Sequence, residues 1–218
     1  MIDRFSKEGI ELTNSDLKYF FEWGHSGWMK GFNKGLQRLG GLSAIRGKRV
    51  LEIGTRNGKM ACLFALLGAQ RVIAIDLEDV DLSVAANEAA KYGVSEKVQF
   101  LHYNGELSTL NLTDIDFVFT KSVLVVVSNR EAMCDDINEA LSIDGCFLFL
   151  ENQKGGLLLR LIRQARHRNW NWKEASFLDS DQIEKFKHSL SVEHIIKIFL
   201  PPLYVVCGKK LSKKVDLA

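Results

Sequence analysis

The residues with the clearest chemical role lie in one short segment, E-I-G-T-R-N-G at residues 52–58. The segment follows a short apolar run and opens a helical pattern, and an open α/β sheet binds its ligand at such a strand-to-helix turn. Gly54 permits a sharp turn with positive φ, and Gly58 permits a helix and a ligand to approach closely. We therefore expect a ligand-binding loop whose free backbone N–H groups point into the crevice.

Two carboxylates indicate the kind of ligand. Glu52 ends the apolar run before the loop, where it would repel a pyrophosphate and suit cationic groups, and the G-x-G-x-x-G pattern of dinucleotide loops is absent. Asp76 lies 24 residues further on, at the end of the next apolar run, where it can accept hydrogen bonds from both hydroxyls of a ribose. Leu77 beside it can pack on a purine face. The pattern favours a nucleoside with a cationic group over a nicotinamide dinucleotide.

Alternating strand and helix patterns position these residues. Runs that are apolar on both faces alternate with helical patterns, which is typical of a parallel sheet covered on both sides. The predicted strands are 49–53, 71–76, 98–103, 116–120 and 146–151, and the predicted helices are 59–67, 82–92 and one opened by a capping box at Ser128 and Glu131. Two further runs, 192–200 and 203–210, are predicted to pair as an antiparallel hairpin.

These elements predict a Rossmann-like three-layer α/β/α sandwich with a mostly parallel sheet and a C-terminal antiparallel hairpin. Residues 1–46 are aromatic and helical in pattern and are interpreted as an N-terminal lid or appendage, and residues 47–218 as one globular domain. The net charge of +2 is too small to indicate nucleic-acid binding over the whole surface, and 46% hydrophobic residues exclude a disordered chain. With no signal peptide, membrane span or C-x-x-C pair in the sequence, we expect a soluble, reduced, cytoplasmic protein without a metal site.

The loop and its surroundings resemble the class I S-adenosylmethionine-dependent methyltransferases. The resemblance rests on V-L-E-I-G-T-R-N-G, on G-A-Q-R-V-I-A-I-D after it, and on the later D-I-D-F-V-F-T-K-S and D-G-C-F-L-F-L-E, and it covers roughly residues 47–208. It implies a seven-stranded sheet with the last strand antiparallel, and S-adenosylmethionine as the cofactor. It does not reach the helices before residue 46, which vary with the substrate in this family.

The resemblance also implies roles for individual residues. It places Glu52, Gly54, Thr55 and Gly58 at the methionine end of the cofactor, and Thr120 and Lys121 near the methionine amino group and the acceptor. At the ribose and adenine it places Asp76, Leu77, Asn104 and Gly105. Two residues depart from the family pattern: Arg56 replaces the usual glycine, and Asn104 stands where an aspartate is common. An arginine in the loop either points to solvent or crowds the cofactor, whereas an Asn104 carbonyl can still pair with an adenine amino group.

Candidates for catalysis and acceptor binding lie outside the loop. His25 is a candidate general base within an aromatic lid, in which Tyr19, Trp23 or Trp28 would contact the acceptor; aromatic residues at this spacing also suit a core-packing role. Glu151 ends the fifth predicted strand, where it would orient or deprotonate an acceptor or simply begin a loop. Lys121 is a candidate contact for the acceptor or a surface lysine.

We therefore predict O-methylation of a small or carbohydrate-like acceptor, with no metal. One alternative is an RNA or protein methyltransferase that docks through the basic stretch from Arg160 to Lys173; nucleic acid is the less favoured partner, since this stretch also reads as the solvated face of an amphipathic helix. Another alternative is a non-catalytic scaffold with the methyltransferase fold. It is suggested by Arg56, which stands where the family usually has a glycine. The sequence contains no indication of oligomeric state.

Overall fold

The computed structural model of the chain describes residues 5–7, 10–12, 14–22, 25–77, 79–154, 177–199 and 202–211. The strands are β1 (Phe5–Lys7), β2 (Ile10–Leu12), β3 (Arg49–Ile53), β4 (Arg71–Asp76), β5 (Val98–His102), β6 (Ile115–Lys121), β7 (Leu141–Asn152), β8 (Leu190–Phe199) and β9 (Pro202–Lys210). The helices are α1 (Asn14–Phe21), α2 (His25–Arg38), α3 (Lys59–Leu66), α4 (Asp79–Lys91), α5 (Arg130–Ala140) and α6 (Ser180–Phe186).

The central sheet has seven strands in the order β5-β4-β3-β6-β7-β9-β8. The pairs β5–β4, β4–β3, β3–β6 and β6–β7 are parallel, whereas β9 is antiparallel to both β7 and β8. The prediction of a mostly parallel sheet with a C-terminal antiparallel hairpin is confirmed. Both faces of the inner strands are buried, which explains why their sequences are continuous apolar runs.

The two faces of the sheet have different covers. Val50, Phe119 and Leu148 belong to a hydrophobic cluster shared with α1, α2 and α3, whereas Leu51 and Val118 belong to a second cluster shared with α5 and α6. Successive strand residues point to opposite faces, so each strand end presents one side chain to each cover. We call these the α2 face and the α5 face of the sheet.

The N-terminal helices pack directly on the sheet. Phe32 of α2 is buried, and its ring centroid lies 5.8 Å from that of Phe119 on β6 and 6.1 Å from that of Phe64 on α3. Trp28, one turn earlier on α2, is only 2% exposed. Burial of such large rings is worth about 1.5–3 kcal/mol each, so these helices contribute to the stability of the core. The division of the chain at residue 46 remains a prediction, but the helices before it do not stand apart from the sheet.

Two local predictions were wrong. The purely helical interpretation of the N-terminus missed the short antiparallel hairpin of β1 and β2, whose strands have only three residues each. Helix α5 is capped by Asn129, whose side-chain oxygen accepts a hydrogen bond from the N–H of Ala132, and not by Ser128. Asparagine and serine are about equally good N-caps, so the sequence alone does not decide between neighbours. No helix in the described part of the chain is both long enough and apolar enough to cross a membrane.

Candidate functional site

The loop at 54–58 is held by its own backbone. The N–H groups of Gly54 and Thr55 both donate to the carbonyl oxygen of Ile75 on β4, at 2.9 and 3.1 Å, and the N–H of Arg56 donates to Oδ2 of Asp76 at 2.7 Å. The prediction that the loop offers free N–H groups is therefore wrong for these three. The loop is pinned to the carboxyl end of β4, and its remaining chemistry comes from side chains.

Each of the two loop glycines lies so close to another segment of the protein that a side chain at its position would clash. Gly54 has φ +77°, and a Cβ there would come within 2.4 Å of Val123 Cγ2, in the segment between β6 and α5. Gly58 has φ +75°, and a Cβ there would lie 2.7 Å from the Cβ of Ala85 on α4. Arg56 between them also has a left-handed backbone, with φ +48°, which explains why a glycine suits this position. The close approach that glycine permits here is between parts of the protein.

Glu52 is a buried carboxylate beneath the loop. It is 3% exposed, and its Oε2 accepts a hydrogen bond of 2.8 Å from the hydroxyl of Thr55. Burial raises the pKa of Glu52 to about 7, because ionisation away from water is unfavourable, while the Thr55 hydrogen bond and the charge of Lys121 oppose this rise. A cationic ligand group beside Glu52 would favour its ionised form.

Asp76 and its neighbours form the other half of the crevice. Its two oxygens accept from the N–H groups of Arg56 and Leu77, and each carboxylate oxygen retains a further lone pair for a ligand hydroxyl. The Leu77 side chain is 52% exposed, and a Cβ at Gly105 would meet only its Cδ2, at 3.8 Å. The Asn104 Oδ1 accepts from the N–H of Glu106 at 3.0 Å, which ties this loop together. Leu77 therefore lies within contact range of Gly105 and presents an exposed apolar surface on which a flat group can pack.

Thr120 and Glu151 meet on the α5 face. Both are fully buried, and Oε1 of Glu151 accepts from the Thr120 hydroxyl at 2.8 Å and from the N–H of Val123 at 3.2 Å. The Glu151 Oε2 is buried without a hydrogen-bond partner, and burial raises the pKa of this carboxyl to about 7. Asn152 next to it donates to the Ser122 hydroxyl, and Ser122 has a left-handed φ of +62°. In this structure Glu151 anchors the turn that packs on Gly54.

The end of helix α1 lies against the glycine loop, which the sequence did not indicate. Glu22 follows α1, and its Oε1 accepts hydrogen bonds from the side-chain amide of Asn57 at 2.7 Å and from Lys59 Nζ at 2.9 Å. Burial alone would raise the pKa of Glu22, but these two hydrogen bonds hold it below its ordinary value. Lys121 Nζ donates to the carbonyl oxygen of Phe21 at 3.4 Å. A contact between residues this far apart in sequence leaves no local pattern.

Of the predicted site residues Trp23, His25 and Trp28, the structure describes only the Trp28 side chain. Trp28 is buried in the core, which favours its packing role over acceptor binding. Trp23 lies outside the described residues, as does the basic stretch from Arg160 to Lys173, and of His25 the structure describes only the backbone, as the first residue of α2. Within the described ranges there is no group of three or more histidine, cysteine or acidic side chains that could hold a metal ion.

Comparisons with known proteins identify a methyltransferase domain in this chain. Residues 50–145 match the family described as "Methyltransferase domain". The chain is 30% identical over 102 residues to ribosomal protein L11 methyltransferase of Deinococcus radiodurans, an alignment that covers 47% of this chain and 35% of that protein. The chain thus spans about a third of the length of this relative.

Solved structures share the fold over most of the chain. A SAM-dependent methyltransferase from Aquifex aeolicus superposes with a TM-score of 0.68 at 16% identity, covering 92% of this chain and 100% of that one. Geranyl diphosphate C-methyltransferase from Streptomyces coelicolor A3(2), in complex with Mg²⁺, geranyl diphosphate and S-adenosyl-L-homocysteine, has a TM-score of 0.67 at 9% identity and covers 84% of this chain and 77% of that one. Residues 50–145 thus match a methyltransferase domain, and the chain has the fold of S-adenosylmethionine-dependent methyltransferases. The cofactor is S-adenosylmethionine, and the carboxylates of Glu52 and Asp76 and the exposed side chain of Leu77 have the chemistry that its ammonium, ribose and adenine require.

Proposed function

We propose that this protein transfers the methyl group of S-adenosylmethionine to a small or carbohydrate-like acceptor, at an oxygen atom. One observation carries the proposal: Glu52 and Asp76 hold the same glycine loop at the carboxyl ends of adjacent parallel strands, with the exposed side chain of Leu77 beside them. When bound, S-adenosylmethionine supplies a methyl group on a sulfonium, so the chemical activation resides in the cofactor.

Different side chains of the crevice would bind different parts of the cofactor. Glu52 would accept from the cofactor's ammonium, Asp76 from the ribose hydroxyls, and Leu77 would pack on the adenine beside Gly105. Gly54, Thr55 and Gly58 shape the loop, and Thr120 fixes the end of β6 through Glu151. An apolar wall and two carboxylates in fixed positions orient the cofactor, which is the main task of the protein in a displacement reaction.

Acceptor activation needs a group that removes a proton from a hydroxyl. Glu151 is one candidate, because a carboxyl with a pKa of about 7 is suited to proton transfer near neutral pH. His25 at the start of α2 is the other. The attachment of α1 to the glycine loop through Glu22 restricts access to the methionine end, which supports a small acceptor over a large one.

A protein acceptor is the second candidate function. It is favoured by two relatives named as ribosomal protein L11 methyltransferases, each of which is similar to 47% of this chain. Proteins that share a cofactor-binding fold can act on different acceptors. The similarity therefore supports methyl transfer more strongly than it supports a protein acceptor.

The cofactor is tested by thermal unfolding with S-adenosylmethionine, with S-adenosylhomocysteine, and with NAD as the control. A ligand at about 100 times its Kd adds roughly 2.7 kcal/mol of stability, or on the order of 5–10 °C at this chain length. We expect this shift with the two adenosyl ligands alone and its loss in Asp76→Ala. No shift at millimolar concentration would favour the non-catalytic scaffold, and an unchanged Asp76→Ala would refute the ribose assignment.

The acceptor is tested with cofactor labelled in its methyl group. Label recovered in the low-molecular-weight fraction of a cell extract supports the small acceptor, and label recovered only in protein supports the second candidate. Glu151→Gln and His25→Asn then separate the two bases, since loss of the true base lowers kcat and removes a limb of its pH profile.

A further inference from the structure

We propose that Lys121 binds the α-carboxylate of the cofactor's methionine moiety, opposite Glu52, and that the end of helix α1 holds it in position. This inference rests on the proposed function, because it concerns the same crevice. It assigns Lys121 to the methionine carboxylate, whereas the sequence and its resemblance placed Lys121 only near the methionine amino group and the acceptor.

Strand register places Lys121 beside the glycine loop. Ile53, the last residue of β3, is paired with Thr120 on β6, so Lys121 and Gly54 each directly follow that pair at the carboxyl edge of the sheet. Lys121 is also on the same face as Phe119, the α2 face, because these residues are two apart along β6. Glu52 is paired with Phe119 and shares that face. A cation and a carboxylate therefore stand at the carboxyl edge on the same side of adjacent strands.

The Lys121 ammonium has unused hydrogen-bonding capacity. An ammonium has three donors, and within the described part of the chain Lys121 Nζ makes one hydrogen bond, of 3.4 Å, to the Phe21 carbonyl oxygen. Its side chain is largely withdrawn from water, and burial lowers the pKa of Lys121 while the charges of Glu22 and Glu52 oppose that change. An incompletely bonded cation in such a place is stabilised by an anionic ligand.

The charges in the crevice match the two ends of a zwitterion. Glu22 Oε1 accepts from Asn57 and Lys59, at 2.7 and 2.9 Å, and the described part of the chain shows no ion pair between Glu22 and Lys121. Glu52 is bound by the neutral hydroxyl of Thr55. The methionine moiety carries one ammonium and one carboxylate on the same carbon, so Glu52 and Lys121 can take one charge each.

The test compares two ligands that differ only in the carboxylate: S-adenosylhomocysteine and its decarboxylated analogue, S-adenosyl-3-thiopropylamine. Their Kd values are measured by calorimetry for the wild type, Lys121→Met and Lys121→Arg. A charge-assisted hydrogen bond is worth about a factor of 10–100 in Kd. We expect Lys121→Met to lose that factor for S-adenosylhomocysteine only, and Lys121→Arg to recover most of it.

Lys91→Met is the matched control. Lys91 also contacts α1, where its Nζ donates to the Tyr19 hydroxyl at 3.3 Å, but its ion-pair partner is Glu88 of its own helix and not a carboxylate of the crevice. It should leave both Kd values unchanged. Equal weakening of the two ligands by Lys121→Met would mean a structural role and overturn the inference, as would no weakening of either. Failure of the wild type to bind both ligands would instead refute the proposed function, and this inference with it.

Discussion

The buried carboxyl of Glu151 leads to a prediction about stability and pH. Glu151 is 0% exposed, and its pKa of about 7 compares with an ordinary value of 4.5. The folded protein therefore holds this proton more strongly than the unfolded chain does. Between pH 4.5 and 7 the folded state binds more protons, so the free energy of unfolding falls as pH rises, and above pH 7 the loss stays constant.

Glu151→Gln removes this ionisation with little change of shape. A glutamine Oε1 can keep the hydrogen bonds from the Thr120 hydroxyl and the Val123 N–H, and its amide replaces the oxygen that has no partner. A difference of about 2.5 pH units corresponds to roughly 3 kcal/mol, of which about 2.5 kcal/mol develops between pH 5 and pH 8.5. The variant should therefore gain about 2.5 kcal/mol relative to the wild type across that range, or roughly 5–10 °C in Tm.

The assay is urea unfolding followed by circular dichroism at pH 5, 6, 7 and 8.5, with Tm measured in parallel. Glu52 is present in both proteins, so its own titration cancels in the difference. Glu96→Gln, at an exposed position, is the control and should leave the pH dependence of the wild type unchanged. If the difference between Glu151→Gln and the wild type is the same at pH 5 and at pH 8.5, Glu151 is not a buried carboxyl that gains its charge near pH 7, and the argument fails.

Two further predictions concern packing and thiol chemistry. Gly54→Ala should lower the free energy of unfolding by about 2–5 kcal/mol, because it combines a left-handed backbone with a contact of 2.4 Å to Val123; Gly93→Ala, with φ +65° and nothing within 4 Å, should cost only about 1–2 kcal/mol. Similar losses in urea unfolding for both variants would show that the contact with Val123 does not matter. The four cysteines are buried, and burial raises their pKa values to about 11 or 12. Ellman's reagent at pH 8 should therefore label them at least about 100-fold more slowly in the native protein than in denaturant; rapid native labelling would contradict this.

The strands and the order of the main elements could be predicted because their signals are local. The strands at 49–53 and 71–76 were predicted with the bounds that the structure has, since a run that is apolar on both faces fits little else between turn residues. The antiparallel hairpin of β8 and β9 was predicted because only a short connection separates the two apolar runs. Element ends were less certain: β7 begins at Leu141, five residues before its predicted start, because pairing with β6 extends it.

The N-terminal helices show what local sequence patterns cannot predict, namely where a helix packs on the sheet. Their aromatic residues fitted both a lid and a core, and packing of Phe32 on Phe119 decided in favour of the core for that part of α2. Conversely, the attachment of Glu22 to Asn57 and Lys59 joins segments more than thirty residues apart. Such contacts depend on the placement of whole helices on the sheet, so no spacing in the sequence can indicate them.

The sequence by itself determined the class of fold, the position of the glycine loop and the two carboxylates that flank it, because turn geometry, strand burial and charge are properties of neighbouring residues. Only the tertiary structure decided which hydrogen bonds and packing contacts those groups make. It showed that the loop's N–H groups are used by Ile75 and Asp76, that its glycines make room for Val123 and Ala85, and that Lys121 shares a face with Glu52. The physical reason is that hydrogen-bond partners, burial and pKa depend on distances across the sheet, and these are set only when the strands have paired in register.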